Sequence, residues 1–315
     1  MIIAVMLFVI GLLLVIKGGD WFVESAIRIA RYSGLPEIFI GATIVSIATT
    51  LPEVTVSVTS AISGHTTMAV GNAVGSMICN IALILGTYLL FKPGIVQDNN
   101  YNKKALFLFS YSTILYLLAL NRVITRMNGV LLTAMLIFYM YSNIRELYSK
   151  QNKKRRISSE ELYKIDKVKI LILFVIGISA IIIGSNLLIE NGIIIASTLG
   201  VPESVISLTL IALGTSLPEF VTVVTSIIKK KPGIGLGNVI GANILNVSLV
   251  VGVSSLIADL EIIKSNINFD FPIVMLLTLI LVIPTVIKKK TFRWQGIAFL
   301  SIYVLYILRT WGSVL

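Results

Sequence analysis

The sequence predicts an all-α polytopic membrane protein, with ten transmembrane helices in two inverted-topology repeats of five. Three observations predict it. Of 315 residues, 56% are hydrophobic and only 13% are charged, against about 25% charged in a soluble domain. The apolar residues fall into runs of the length a helix needs to cross the hydrocarbon layer, about 20 residues. The chain also repeats itself: one fixed offset pairs Glu53 with Glu219 and carries many neighbouring residues with it. A soluble enzyme, a disordered chain and a disulfide scaffold are excluded as readings.

The expected spans are 2–23, 38–62, 68–91, 105–121, 127–144, 169–189, 204–228, 234–257, 270–287 and 294–311. Polar breaks separate them. Ser63-Gly64-His65 lies between the second and third, and Lys229-Lys230-Lys231-Pro232-Gly233 between the seventh and eighth. Strict alternation over strand-length segments is absent, so a membrane barrel is not expected. Residues 1–147 form the first expected repeat, 148–168 a basic cytoplasmic linker, and 169–315 the second repeat. The uncharged stretch Met1–Ile16 lacks the basic start of a cleavable signal peptide.

Lysine and arginine collect in alternate loops: Arg28 and Arg31; Lys92, Lys103 and Lys104; Arg145 to Lys169; Lys229 to Lys231; and Lys288 to Arg293. Cytoplasmic loops carry that excess, so both termini are expected outside and the chain in the cytoplasmic membrane. The net charge of +11 is spread between apolar runs, and no nucleic-acid partner is expected. The expected surroundings are the lipid bilayer and transported cations, with no obligate protein partner evident.

The same offset pairs Gly34, Pro36 and Glu37 with Gly200, Pro202 and Glu203. It pairs Thr49, Leu51, Pro52 and Glu53 with Thr215, Leu217, Pro218 and Glu219, and Gly71, Asn72, Gly75 and Asn80 with Gly237, Asn238, Gly241 and Asn246. Five spans per half is an odd number, so the second half enters the membrane from the opposite side. Secondary transporters are built this way, with a site near the midplane where the halves meet.

Ionisable side chains inside a span are costly and point to function. Glu53 and Glu219 lie deep in apolar segments, in Ala-Thr-Thr-Leu-Pro-Glu and Gly-Thr-Ser-Leu-Pro-Glu. Bare carboxylates there would suffer desolvation and mutual repulsion, which a bound cation removes. Thr49 and Thr50 precede Glu53 by four and three positions and so share its helix face, as Thr215 and Ser216 do for Glu219. Pro52 and Pro218 deprive the carbonyls of Ala48 and Gly214 of their helical donors. Such backbone is tolerated at this depth where a cavity or ion satisfies it, although the prolines would also serve as simple kinks.

Asn72, Ser76 and Asn80 form a polar stripe, matched by Asn238, Ala242 and Asn246. Hard cations take oxygen ligands of these kinds, six to eight for calcium. Amide bonding between helices is the alternative reading of the asparagines. No His or Cys cluster suggests a soft metal. Cys79 reads as a small buried side chain and His65 as a loop residue. Asp20, Glu24, Glu37, Glu190 and Glu203 read as groups near span ends.

At these motifs the chain resembles the sodium/calcium exchanger superfamily in its prokaryotic ten-span form, over essentially its whole length. The resemblance implies an antiporter, not an enzyme, with no cofactor, exchanging Ca2+ for Na+ by alternating access. It implies ion ligands Thr49, Thr50, Glu53, Ser76, Asn80, Thr215, Ser216, Glu219 and Asn246, with Glu53 and Glu219 on the metal. Backbone oxygens of Ser46 and Ala212 match positions that join them, and the first and sixth spans would slide past the rest. Three departures stand out. Asn246 replaces an aspartate usual in sodium/calcium exchangers of this type, Ala242 a serine, and Thr50 a common serine. The usual three-sodium stoichiometry is then in question, since two glutamates balance one divalent or two monovalent ions. Coupling to protons or another monovalent ion is therefore the alternative expectation, and a cation channel built from the same oxygens is the remaining rival.

Overall fold

A computed structural model describes residues 2–94, 99–151, 167–199 and 214–312. The chain is helical almost throughout, in the expected order. The helices are α1 (Ile2–Ser33), α2 (Glu37–Thr49), α3 (Leu51–Ile62), α4 (Thr66–Phe91), α5 (Asn99–Ala119) and α6 (Arg126–Gln151). The second half contributes α7 (Lys167–Thr198), α8 (Leu217–Ile228), α9 (Pro232–Ile257), α10 (Asn266–Lys288) and α11 (Arg293–Gly312). Six described helices are each long and apolar enough to cross a membrane, and the bent pair α2–α3 makes a seventh. Only the later part of the expected seventh span is described, as α8. Helix runs to Gln151 and resumes at Lys167, so it enters both ends of the expected linker. The strands found among the described residues are two short ones, β1 (Val123–Ile124) and β2 (Leu260–Glu261), paired antiparallel beyond the helix ends.

Two packing motifs set the architecture, and glycine makes each of them. Helices α1 and α7 run against each other at backbone distance. A Cβ added at Gly11 would lie 2.8 Å from the Gly184 carbonyl oxygen, and one at Gly18 would lie 2.8 Å from that of Gly177. Small residues allow this approach where lipid supplies no hydrophobic drive between helices. The outer faces of both helices remain apolar and exposed, as at Leu13, Ile16, Leu171 and Ile172, and suit contact with lipid tails.

Helices α2 and α9 cross at the centre. A Cβ at Gly41 would meet the Ile234 carbonyl oxygen at 2.2 Å, and one at Gly237 would meet that of Ile38 at 2.3 Å. Every residue of α9 from Ile234 to Leu245 is buried. The core around it takes in Ile78, Ile81, Leu85, Val239, Ile240, Ile244 and Leu277. Gly71 and Gly75 on α4 are different: no described residue lies within 4 Å of a Cβ added at either.

Candidate functional site

Helix α2 stops at Thr49 and α3 starts at Leu51, with a bend of 43° between them. Thr50 at the joint has φ −81° and ψ −3°, the bridge conformation in which functional residues often sit. Ser216 holds the mirrored place before α8, with φ −88° and ψ 3°. Pro52 and Pro218 fall in the first turn of the following helix, where proline costs nothing. Glu53 and Glu219 also lie in that first turn. The positive end of each helix dipole therefore supports its carboxylate.

Both carboxylates are sealed from solvent, Glu53 at 1% exposure and Glu219 at 0%. None of their four oxygens has a hydrogen-bond partner among the described residues. Asn72 links the two segments: its amide nitrogen meets the Glu53 carbonyl at 3.2 Å, and its amide oxygen lies 3.4 Å from Thr215, one turn before Glu219. The Ser76 hydroxyl lies beside Glu53, and the hydroxyls of Thr49 and Thr50 lie beside Glu219, without completing a bond to either. Buried charges normally occur paired or on a metal, because isolation in a low dielectric is prohibitive.

Asn80 on α4 and Asn246 on α9 are the amide members of the expected ligand set. Each is fully buried, and neither its amide nitrogen nor its amide oxygen is satisfied. Both sit where the helix widens into a π-helical turn, over Cys79–Leu85 and Asn246–Val251. Such widened turns recur at functional sites. A third, Gly41–Val45, lies just before the α2 break, and there the Tyr139 hydroxyl donates to the Ala42 carbonyl at 2.5 Å.

Six of the nine expected side-chain ligands thus keep unpartnered polar atoms: Thr50, Glu53, Asn80, Ser216, Glu219 and Asn246. The other three are tied by hydrogen bonds. Thr49 Oγ1 lies 3.1 Å from Asn238 Oδ1, Thr215 Oγ1 lies 3.4 Å from Asn72 Oδ1, and Ser76 Oγ lies 3.4 Å from Thr215 Oγ1. The Ser46 carbonyl accepts from the Thr50 N–H at 2.9 Å and faces Thr49 Oγ1 at 3.4 Å. Ala212 and Glu203 lie outside the described residues. A cavity of about 220 Å³ reaches Thr215 between Pro52 and Pro218, with Ser185 and Asn186 of α7 on its wall. Among the described residues no group of three or more His, Cys, Asp or Glu side chains could hold a metal. The expected ligand set is one of hydroxyls, amides and two acids.

Asn72 and Asn238 were visible in the sequence as members of the polar stripes. Their bonds to threonines of the opposite half were not, since they need the packed helices. Three of the peripheral acids have ordinary partners. Asp20 and Glu24 meet Lys229 at 2.7 and 3.2 Å, Glu24 also meets Arg28 at 3.1 Å, and Glu37 meets Lys231 at 2.6 Å. His65 is exposed at the start of α4.

Comparison with known proteins identifies the family. The family model of the sodium/calcium exchanger protein matches residues 3–145 and 169–312. An uncharacterized membrane protein of Methanocaldococcus jannaschii, MJ0091, is 32% identical over 98% of both chains. The sodium/calcium exchanger MaX1 of Methanosarcina acetivorans is 29% identical over 96% of this chain and 97% of its own. Among solved structures, the sodium-calcium exchanger NCX_Mj soaked with Na+ and Sr2+ superposes with a TM-score of 0.85 at 32% identity, covering 98% of each chain. The family is one of transporters, not enzymes, and its members are multi-pass membrane proteins. The chain belongs to the sodium/calcium exchanger protein family.

Proposed function

We propose that this chain is a secondary antiporter that exchanges Ca2+ for Na+ across the cytoplasmic membrane, with both termini outside. The observation that carries the reading is the sealed pair Glu53 and Glu219, found together with buried, unsatisfied hydroxyl and amide groups in both halves. A divalent ion neutralises both acids at once. Two monovalent ions do the same, and the two species compete because they share the acids. The ligands are Thr49, Thr50, Glu53, Ser76 and Asn80 from one repeat and Thr215, Ser216, Glu219 and Asn246 from the other, with backbone oxygen from Ser46 and Ala212.

An empty chamber leaves two charges exposed to the low dielectric during reorientation, so an unloaded carrier turns over slowly. Loading removes that barrier, and exchange follows without any covalent step. The repeats, 1–147 and 169–315, enter the membrane with opposite sense. Helices α1 and α7 are locked together by Gly11, Gly18, Gly177 and Gly184, and as one unit they slide past the remaining helices to open the chamber to either side. Sodium-gradient-driven uptake of radioactive calcium into proteoliposomes tests this. Uptake is expected in the full-length protein and not in Glu53→Gln or Glu219→Gln.

Asn246 favours a second reading of the coupling ion. An amide there leaves two carboxylates, and protons can neutralise two carboxylates as two sodium ions do. Imposing sodium, potassium and proton gradients in turn separates these. Calcium uptake driven by a pH gradient alone selects proton coupling.

A further inference from the structure

Asn72 and Asn238 stand outside the ligand set, yet they touch it in the same way. They are repeat partners, as are Thr215 and Thr49. Asn238 Oδ1 lies 3.1 Å from Thr49 Oγ1, and Asn72 Oδ1 lies 3.4 Å from Thr215 Oγ1. Each bond runs from one half of the chain to the other. Two mirrored bonds of one kind are more than incidental helix glue.

The orientation of the Asn72 amide is fixed by its other contacts. Its nitrogen donates to the Glu53 carbonyl at 3.2 Å and faces Ser57 Oγ at 2.9 Å. A carbonyl only accepts, so the nitrogen must stay on that side and the amide oxygen must face Thr215. Thr215 Oγ1 also lies 3.4 Å from Ser76 Oγ, and the amide oxygen only accepts, so both contacts form together when Thr215 donates to Asn72 and Ser76 donates to Thr215. The Asn238 amide nitrogen has no partner among the described residues, so its orientation rests on repeat symmetry with Asn72; its Oδ1 is then a nearer acceptor for Thr49 than the Ser46 carbonyl, 3.1 against 3.4 Å.

A hydroxyl carries one proton and two lone pairs. Once the proton is committed sideways to an asparagine, only lone pairs remain to face the chamber. A cation needs an acceptor, and a threonine whose proton pointed inward would repel it. We infer that Asn72 and Asn238 are positioning residues that hold the protons of Thr215 and Thr49 away from the ion, so that both hydroxyls present lone pairs to it. The inference rests on the reading of those threonines as cation ligands. It also gives Asn72 a second task, since the same amide ties the backbone of Glu53 to α4.

The test is a double-mutant cycle read as the half-saturating calcium concentration for uptake into proteoliposomes. The full-length protein is compared with Thr49→Val, Asn238→Leu, the combined variant, and Asn238→Asp. Folding of each is checked by thermal unfolding in detergent. Asn238→Leu is expected to raise half-saturation about fivefold, the worth of one ordinary hydrogen bond. The combined variant should match Thr49→Val alone, because the asparagine acts only through the threonine. Asn238→Asp keeps an acceptor in place and should fall closer to the unsubstituted protein than Asn238→Leu does. Where leucine prevents folding, Asn238→Ser, too short to reach Thr49, takes its place in the cycle. Effects that multiply in the combined variant would overturn the inference. So would a folded Asn238→Leu with unchanged half-saturation, or an aspartate variant as impaired as the leucine one. A Thr49→Val protein with unaltered half-saturation would instead sink the ligand reading beneath it.

Discussion

Replacing Gly237 by alanine isolates the link between helix packing and ion binding. The added Cβ would lie 2.3 Å from the Ile38 carbonyl oxygen and 2.9 Å from the Ala42 nitrogen. Ordinary van der Waals contact begins near 3.4 Å, so α2 and α9 must part by about 1 Å. The obstacle is backbone, which has no rotamer to escape into. Intrinsic helix propensity favours alanine by about 1 kcal/mol, and overpacking of this kind costs about 1–3 kcal/mol. A net loss of stability of up to about 2 kcal/mol follows. The functional effect is larger. Asn238 adjoins the substituted residue, and its 3.1 Å contact with Thr49 would stretch past any hydrogen-bonding range. Calcium ligands must lie within about 2.3–2.6 Å of the ion, so a chamber widened on one wall loses part of its set. Calcium half-saturation should rise by about 100-fold, the scale on which a 1 Å misplacement acts at other sites. Thermal unfolding in detergent and calcium uptake into proteoliposomes measure the two effects. A Gly237→Ala protein with unchanged unfolding temperature and unchanged uptake would refute the close-crossing argument.

Tyr139→Phe removes the donor to the Ala42 carbonyl and should destabilise the protein by about 1–2 kcal/mol, read as a lower unfolding temperature. Gly18→Leu would force α1 from α7, where even a Cβ lies 2.8 Å from the Gly177 carbonyl; transport should fall by more than tenfold, by analogy with other close small-residue interfaces. Lys229→Gln removes the ion pairs to Asp20 and Glu24, whose side chains are 54% and 39% exposed, so the cost in stability should stay below about 1 kcal/mol. Partial burial would lower the pKa of the Lys229 ammonium, but the two acids outweigh it and hold it above the usual lysine value. A raised lysine pKa means that this contribution persists through neutral pH and is lost only as pH climbs beyond the lysine range; unfolding temperatures of the two proteins should converge there.

Much of the fold was legible because lipid imposes a strict rule on sequence. A spanning segment must be apolar and must satisfy its own backbone, so long apolar runs and basic loops mark the helices directly. The break at Thr50 was legible through Pro52, and its mirror at Ser216 through Pro218. The acids stood out because nothing else explains a carboxylate in such surroundings. The π-helical turns at Asn80 and Asn246 were hidden, since no local residue pattern distinguishes them from an ordinary helix. The glycines were ambiguous for a related reason. Gly71 and Gly237 occupy the same motif, but only Gly237 has a backbone pressed against it among the described residues. The asparagine bonds to Thr49 and Thr215 join residues far apart in the chain, and only packing brings them together.

Equilibrium binding of radioactive calcium to the purified protein, with and without sodium, bears most directly on the shared acid pair. One calcium per chain is expected, displaced by sodium, and lost in Glu53→Gln and in Glu219→Gln alike. Charge neutralisation of either acid should weaken binding at least about 100-fold, the scale of about 3–4 kcal/mol for a contact charge pair in a protein interior. Calcium binding of full strength in both variants would mean that the ion sits elsewhere.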